Sequence, residues 1–352
     1  MTSLAHASHP RRHPGPPEPT LARKVALLER PATYAERTKQ VRAVETHLSW
    51  VFLTDAHAYK LKKPVRHDGC DLTTVAARGA HCRMEVALNR RFSEGVYLGV
   101  VPIGMDRSGA LRLDRGGVVV DWLIRMRRLP EELMLDRLME TGRLRAGDLE
   151  PLVARLARYY RSVAPEPIVG AQFRDHLAAR IASSTAGLCA PEGGLDAAAV
   201  ESVGERQLAF LERHADLFDR RVARGRIVEG HGDLRPEHVC LEPVPQVIDC
   251  LEFSRELRVV DVAEELGFLA LECERLGAPR AKREIFEAYA KLSGDRPDAR
   301  LVDFYQSLHA CVRGTLALAH LREPERDDRE KWKRRAGDYL RLAASPIGDE
   351  RP

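Results

Sequence analysis

A change of hydrophobic period near residue 130 constrains this chain more than any other feature. Before it the sequence alternates. SWVFLT is apolar and β-branched, DAHA suits a turn, and YKLKKPV interleaves lysine with Tyr, Leu and Pro, so Val44 to Val65 reads as a β-hairpin. Leu72 to Phe92 reads as a helix capped by Thr73 or Thr74, with Met84 and Leu88 in i,i+4 register. VYLGVVPIG, ALRLD and GVVVDWLIRMRRLP follow as three short strands. Beyond them Leu149, Leu152, Val153, Leu156 and Tyr160 recur with the helical period. Further helices are expected over 173–188, 197–223, 260–276, 281–292, 299–321 and 329–344. One β-like interruption, VCLE–PVPQ–VIDCLE between Val239 and Glu252, sits inside the helices. The pattern predicts an α+β chain, with a small sheet domain over 23–128 and a larger helical domain over 129–345.

Composition narrows the classes. With 352 residues, 44% hydrophobic and 31% charged, the chain can bury a large core and is not globally disordered. No window approaches the roughly 20 apolar residues of a membrane helix. The first thirty residues lack an apolar signal-peptide core, so no secretory signal is expected. Seven scattered cysteines without a CxxC argue against a disulfide framework and for a reducing cytoplasm. Residues 1–22 read as a disordered leader, and its His6, His9 and His13 have no fixed geometry for a metal. The net charge of +4, from 56 basic and 52 acidic residues, does not mark a nucleic-acid binder. The basic RRVARGR and KWKRRAGDYLRL stretches keep acidic company in Asp327, Asp328 and Glu330, as a solvated helix face does.

The chemistry is concentrated at GHGDLRPEHVCL, Gly230 to Leu241. Its His231, Asp233 and Leu234 match the pattern H-R-D-L-x-x-x-N of a phosphoryl-transfer loop, with His238 where the pattern has Asn. Asp249 follows sixteen residues after Asp233, at the end of the polar hairpin. Such chemistry needs one carboxylate to orient the acceptor hydroxyl and another to hold a divalent metal, at a separation fixed by a rigid element. The bland readings are a turn or cap role for Asp233, a bracing role for His231, and a surface or supporting role for Glu252.

HGD followed by ID resembles the aminoglycoside phosphotransferase and choline kinase group of small-molecule kinases, which have a bilobal protein-kinase-like fold. ETHLSWVFLTDAHAYKLKKPV, EVALNRRFSEGVYLGVVPI and VIDCLEFSRELRVVDVAEELGFLALE extend the resemblance over roughly residues 24 to 320, to a largely uncharacterised bacterial subgroup. It implies a β-rich N-lobe, a helical C-lobe, ATP with Mg²⁺, and a small-molecule acceptor hydroxyl. Asp233 would orient or deprotonate that hydroxyl and Asp249 would be the principal metal ligand. His238 would take the second metal position, where imidazole suits Mn²⁺ better than Mg²⁺.

A phosphate-holding lysine paired with a helix glutamate is also implied. Lys60 and Lys62 share one face of their strand while Lys63 points away, and either of the two can serve, with Glu85 as partner. The bland reading is a lysine-decorated edge strand. The adenine would meet backbone around Arg125–Arg128, including Arg127, with Met126 as a pocket wall or an ordinary core residue. The stretch before the lysines has no GxGxxG, which leaves Thr46, His47 or Ser49 to cover the phosphates. GxxxxGK[ST], a strand–GxGxxG–helix unit, HExxH and GxSxG are all absent. Asp175, Glu264 and Glu265 on the C-terminal helices could greet a cationic acceptor, though acids on helices are too common to decide it, while Arg258 and Asp261 fit a bracing role around the hairpin. The alternative is a non-catalytic kinase-like protein that binds a nucleotide or a partner.

Overall fold

The computed structural model describes residues 18–67, 70–114, 116–322 and 328–347. The leader up to residue 17, with its three histidines, and Asp327 lie outside the described residues. The described residues form two compact units: one takes those up to Val86 together with Tyr97–Arg128, the other Ala87–Val96 and those from Leu129 onward.

The first unit contains α1 (Leu21–Leu28), β1 (Arg42–Glu45), β2 (Ser49–Leu53), β3 (His57–Lys62), α2 (Val75–Asn89, to Val86), β4 (Tyr97–Met105), β5 (Leu111–Leu113) and β6 (Val118–Arg127). Its six-stranded antiparallel sheet runs β1-β2-β3-β6-β4-β5. The expected hairpin is β2–β3, with Val51 opposite Lys60. Both β1 and α1 are additions to the expected plan. Leu21 and Ala22 already form the first turn of α1, which Thr20 caps by accepting from the Arg23 N–H. Leu21, Val25 and Leu28 lie one helical face apart and join Phe52, Tyr59 and Leu61 in this unit's core.

A buried charge network fixes α2 to the sheet. Arg78 Nε donates to Asp121 Oδ1 at 2.8 Å, and Lys24 Nζ to Asp121 Oδ2 at 2.7 Å. Gly79 permits the contact, since a Cβ there would stand 2.5 Å from the Trp122 indole nitrogen. The inward stripe of α2 is therefore Arg78, Gly79, Cys82, Glu85, Val86 and Asn89. Met84, expected on the apolar face, is 44% exposed.

The second unit is helical: α3 (Leu135–Glu140), α4 (Glu150–Ser162), α5 (Gly170–Leu188), α6 (Ala197–Arg213), α7 (Ala215–Ala223), α8 (Val262–Arg275), α9 (Ala281–Ser293), α10 (Ala299–Ala319) and α11 (Arg329–Ala343). His214 divides the helix expected over 197–223 into α6 and α7. Two short ladders punctuate the helices. β7 (Ile227–Glu229) pairs with β10 (Val259–Asp261), and β8 (Val239–Cys240) pairs with β9 (Gln246–Val247). Every residue of α8 from Val262 to Cys273 is buried, and α8 feeds all three apolar clusters of this unit. A helix that is apolar nearly all round belongs in a centre, and its charged exceptions mark where polar structure must be held. No helix of the described residues is long and apolar enough to cross a membrane.

Candidate active site

In the first unit, Lys60 and Lys62 share one carboxylate. Lys60 Nζ lies 2.9 Å from Glu85 Oε1, and Lys62 Nζ lies 2.5 Å from Glu85 Oε2. The side chains of Lys62 and Glu85 are 3% and 0% exposed, whereas that of Lys60 is 15% exposed and remains reachable. Met126 faces the same side as Lys60, because it stands opposite Ala58 in the β3–β6 register. Arg127 stands opposite His57 and faces the other side, so only its backbone can serve the expected role. That backbone is still ladder: Arg125 and Met126 are flanked by both β3 and β4, and the Arg128 N–H donates to Ala56 O at 2.9 Å. The chain leaves the sheet only at Leu129.

Thr46 and Ser49, offered by the sequence as phosphate cover, are engaged with each other. The Ser49 N–H donates to Thr46 Oγ1 at 3.1 Å, and Thr46 Oγ1 donates to Ser49 O at 2.9 Å. A cleft of about 600 Å³ opens on the opposite face of the sheet, lined by Tyr34, Tyr59, Arg112 and Arg125 among others, and the Lys60–Glu85 pair takes no part in it.

In the second unit the Gly230–Asp233 loop is built from below. The backbone N–H groups of His231 and Gly232 donate to Glu265 Oε1 at 2.6 and 2.8 Å, and Tyr160 OH donates to Glu265 Oε2 at 2.5 Å. Gly232 has φ +83°, a conformation glycine adopts without a Cβ penalty. The His231 ring is fully buried; its Nε2–H donates to Ile248 O at 2.9 Å and its Nδ1 accepts from the Asp233 N–H at 3.3 Å. Burial, helped by nearby His238, lowers its pKa to about 3, so the ring is neutral. His231 thus ties the loop to the end of the hairpin and does not meet solvent.

Asp233 presents a side chain that is 23% exposed, with Arg235 Nε 2.9 Å from its Oδ1. Burial works to raise its pKa, but the Arg235 guanidinium, with a smaller contribution from Arg313, outweighs burial and holds the carboxyl below its ordinary value. His238 is committed at both ring nitrogens. Nδ1 must donate to the Asp233 carbonyl at 2.8 Å, and Nε2 must accept from Arg235 at 3.1 Å. Its Nε2 lies 3.6 Å from Asp249 Oδ2.

Asp249 is the more exposed carboxylate, at 45%, and has φ +62°. A left-handed non-glycine backbone persists only where its surroundings over-determine it. Here the Ile248 N–H donates to His238 O, the Cys250 N–H to Asn89 Oδ1 and the Leu251 N–H to His231 O, at 2.9, 2.9 and 3.1 Å. Arg258 braces the following segment through Leu251 O and Ser254 O. Asp261 caps α8 through the Ala263 N–H and pairs with Arg221.

Two residues expected at an acceptor lie elsewhere in the logic of the site. Glu264 is fully buried under Arg180 and His309, at 2.6 and 2.9 Å. Glu265 is the loop's brace. Asn89, Arg235 and the bracing role of Glu265 escaped the sequence reading. The acid in the first turn of a buried helix was the one available signal, for Glu265.

No protein-family model matches the chain. An uncharacterized protein of Mycobacterium tuberculosis is 30% identical over 285 residues, which is 76% of this chain and 53% of that protein. The chain thus spans about half the length of the curated relatives it matches. Among solved structures, a choline/ethanolamine kinase family protein from Mesorhizobium loti is similar with TM-score 0.53 and 18% identity, over 92% of this chain and 94% of that one. A thermostable mutant of aminoglycoside phosphotransferase APH(4)-Ia, in a ternary complex with AMP-PNP and hygromycin B, is similar with TM-score 0.50 and 15% identity, over 93% and 100%. The six-stranded antiparallel unit followed by the helical unit is accordingly the protein-kinase-like fold that these small-molecule kinases share.

Proposed function

We propose that this chain is a phosphotransferase that moves the γ-phosphoryl group of ATP, with Mg²⁺, onto a hydroxyl of a small molecule in the cytoplasm. The observation that carries the reading is the pair of carboxylates on one braced loop system, Asp233 below its ordinary pKa and Asp249 on a left-handed backbone. In the step, the acceptor oxygen bonds to the γ-phosphorus, the bond to the β,γ-bridging oxygen breaks, ADP leaves, and the hydroxyl proton passes to Asp233. An ionised Asp233 orients that hydroxyl by accepting its hydrogen, and its low pKa suits late proton transfer in a loose transition state. Lys60, the reachable lysine, holds phosphate. Glu85 positions it, and Lys62 secures Glu85 from the buried side.

The donors fit Mg²⁺ through Asp249. Among the described residues no group of three or more His, Cys, Asp and Glu side chains is arranged to hold a metal. Mg²⁺ takes one or two carboxylates and completes its shell with water and substrate phosphates, which is the demand placed on Asp249 in this reading. Mg²⁺ would neutralise charge on those phosphates. His238 contributes no nitrogen to it in this arrangement, because both are engaged. The same fact favours the second reading, a nucleotide-binding protein without turnover.

The test is a thermal-shift screen with nucleotides and divalent metals, followed by labelled ATP offered to a metabolite pool. Stabilisation by ATP with Mg²⁺ and label transfer are expected. Stabilisation without transfer selects the binding protein, and no stabilisation by any nucleotide removes both readings.

A further inference from the structure

The cleft of about 600 Å³ on the sheet face away from Lys60 has a guanidinium set into it. Arg125 lines it from β6, half-buried, and its Nη2 donates to His57 Nε2 at 3.2 Å. That bond leaves the ring hydrogen of His57 on Nδ1, which lies against Glu36 Oε2, and the Thr54 hydroxyl meets the other Glu36 oxygen. The guanidinium is thus oriented by a chain of three side chains. Of its five N–H donors only one, at Nη2, has an acceptor among the described residues, and Nε is buried without one. A guanidinium in that state has donors left for an acceptor supplied from outside.

Its neighbours across the two ladders are Tyr59 on β3 and Gly99 on β4. Such partners share a face of the sheet, with Cβ positions about 5 Å apart. Tyr59 also lines the cleft, is 5% exposed, and its hydroxyl makes no hydrogen bond among the described residues. On the other side Gly99 leaves the space beside Arg125 open, since a Cβ there would meet nothing within 4 Å. A glycine inside a strand marks a bulge or a close approach, and the β4–β6 register shifts between Tyr97 and Gly99. The Tyr34 ring and the partly buried Val101, Leu111 and Leu113 supply apolar walls. Two carboxylates line the same cleft, and neither is bonded to Arg125. Glu36 is engaged by His57 and Thr54, while Asp114 is exposed. Arg30 and Arg112 add two exposed guanidinium groups, the second 3.6 Å from Asp106.

We propose that this cleft binds a small anion, a carboxylate or phosphate group carried on an apolar body the size of a fused ring, with the oxyanion on Arg125 and Tyr59 and the body along Tyr34, Val101 and Leu113. A volume of about 600 Å³, apolar walls and a few convergent polar groups are what a small-molecule site requires. Arg matches the geometry of either anion, so the shared chemistry is the oxyanion. Tyr59 and Lys60 are adjacent on β3 and face opposite sides, so this site is separate from the proposed phosphate lysine.

The test is isothermal titration of the full chain with a series matched on one ring system: 2-naphthoate, 2-naphthyl phosphate, 2-naphthamide and 2-naphthylmethylammonium. At least one of the two anions should bind, and which of them does so distinguishes carboxylate from phosphate. The neutral amide and the cation should bind roughly tenfold more weakly or worse, for want of charge-assisted hydrogen bonds. Arg125→Gln should weaken the anion by roughly tenfold or more, and Tyr59→Phe, which removes only an unbonded hydroxyl, by roughly threefold or more. Lys60→Met, on the other face, should leave the anion's affinity unchanged. If thermal melting shows that Arg125→Gln does not fold, Tyr59→Phe takes its place. Binding of neither anion, or amide or cation binding as tight as that of the better anion, overturns the inference. So does an anion affinity that Arg125→Gln, or Tyr59→Phe in its place, fails to weaken, or one that Lys60→Met abolishes.

Discussion

The backbone N–H of His231 donates to Glu265 Oε1 at 2.6 Å, so the conformation of the proposed catalytic loop is written into a helix thirty-four residues downstream. Glu265→Ala should leave two loop N–H groups and the Tyr160 hydroxyl unsatisfied. At about 1–3 kcal/mol for each buried orphan, a loss of at least about 3 kcal/mol is expected. Glu265→Gln retains an acceptor oxygen and should cost less. Urea unfolding of the three proteins checks the order, and equal stabilities would remove the bracing role.

Asp233→Asn should lower turnover by roughly 10²–10⁴-fold, the usual contribution of a positioned proton acceptor, and leave the nucleotide-induced rise in Tm intact. Single-turnover transfer of labelled phosphate measures the first and thermal shift the second. Unchanged turnover would make Asp233 structural.

The two lysines should separate by exposure. Lys60→Met should abolish most of the nucleotide-induced rise in Tm with little change in the apo protein. Lys62→Met removes a buried partner of Glu85 and should destabilise the apo protein by about 1–3 kcal/mol, less than a fully broken buried pair because Lys60 remains. The reverse pattern would exchange their roles.

His238→Asn should leave the ratio of Mg²⁺ to Mn²⁺ affinities unchanged, because the imidazole nitrogens are already bonded to Asp233 O and Arg235. Metal titrations in the presence of AMP-PNP decide it. A shift toward Mg²⁺ in the variant would return His238 to the metal.

Acid should weaken the fold through His231. Its folded pKa of about 3 lies below the unfolded value of 6.5, so between those values the unfolded chain binds more protons. Stability from this group is complete above pH 6.5 and is lost as pH falls toward 3, at about 1.4 kcal/mol per unit. From pH 7 to pH 5 the native protein should therefore lose about 2 kcal/mol more than His231→Gln. Glu264, held to about 2 despite burial by Arg180 and His309, adds a loss in the same direction below pH 4.5. Glu265, raised by burial, acts in the opposite direction, which is why the comparison uses the difference between the two proteins. Urea midpoints at the two pH values provide the measurement.

Where burial is apolar, the sequence was readable. The strands of the sheet and most of the long helices lie close to where alternation and the 3.6-residue period put them, and the Asp233–Asp249 spacing located the loop and hairpin. Helix α2 shows where that reading stops. Its inward face carries Arg78, Glu85 and Asn89, so hydrophobic periodicity turned the wrong side, that of Met84, toward the core. Each of these polar residues is buried because a partner distant in sequence receives it: Asp121, the two lysines, and the Cys250 N–H. Pairings across 23 to 161 residues leave no local pattern. The same holds for Glu264 and Glu265, whose charge suggested solvent and a ligand until their partners were seen. The α1 helix was hidden for a different reason, a Pro- and His-rich start that resembles an unstructured tail.

The left-handed backbone at Asp249 also limits how this site can decay. Asp, Asn and Gly tolerate that conformation, whereas a β-branched or bulky residue would strain the hairpin's end. A descendant that gives up the proposed metal role while keeping its fold is thus channelled toward Asn or Gly at this position. An alanine replacement in the laboratory removes the carboxylate and perturbs the chain path together. Asn removes the charge alone, so if Asp249 holds the metal as proposed, a relative with Asn here keeps the hairpin's shape without its metal-binding charge.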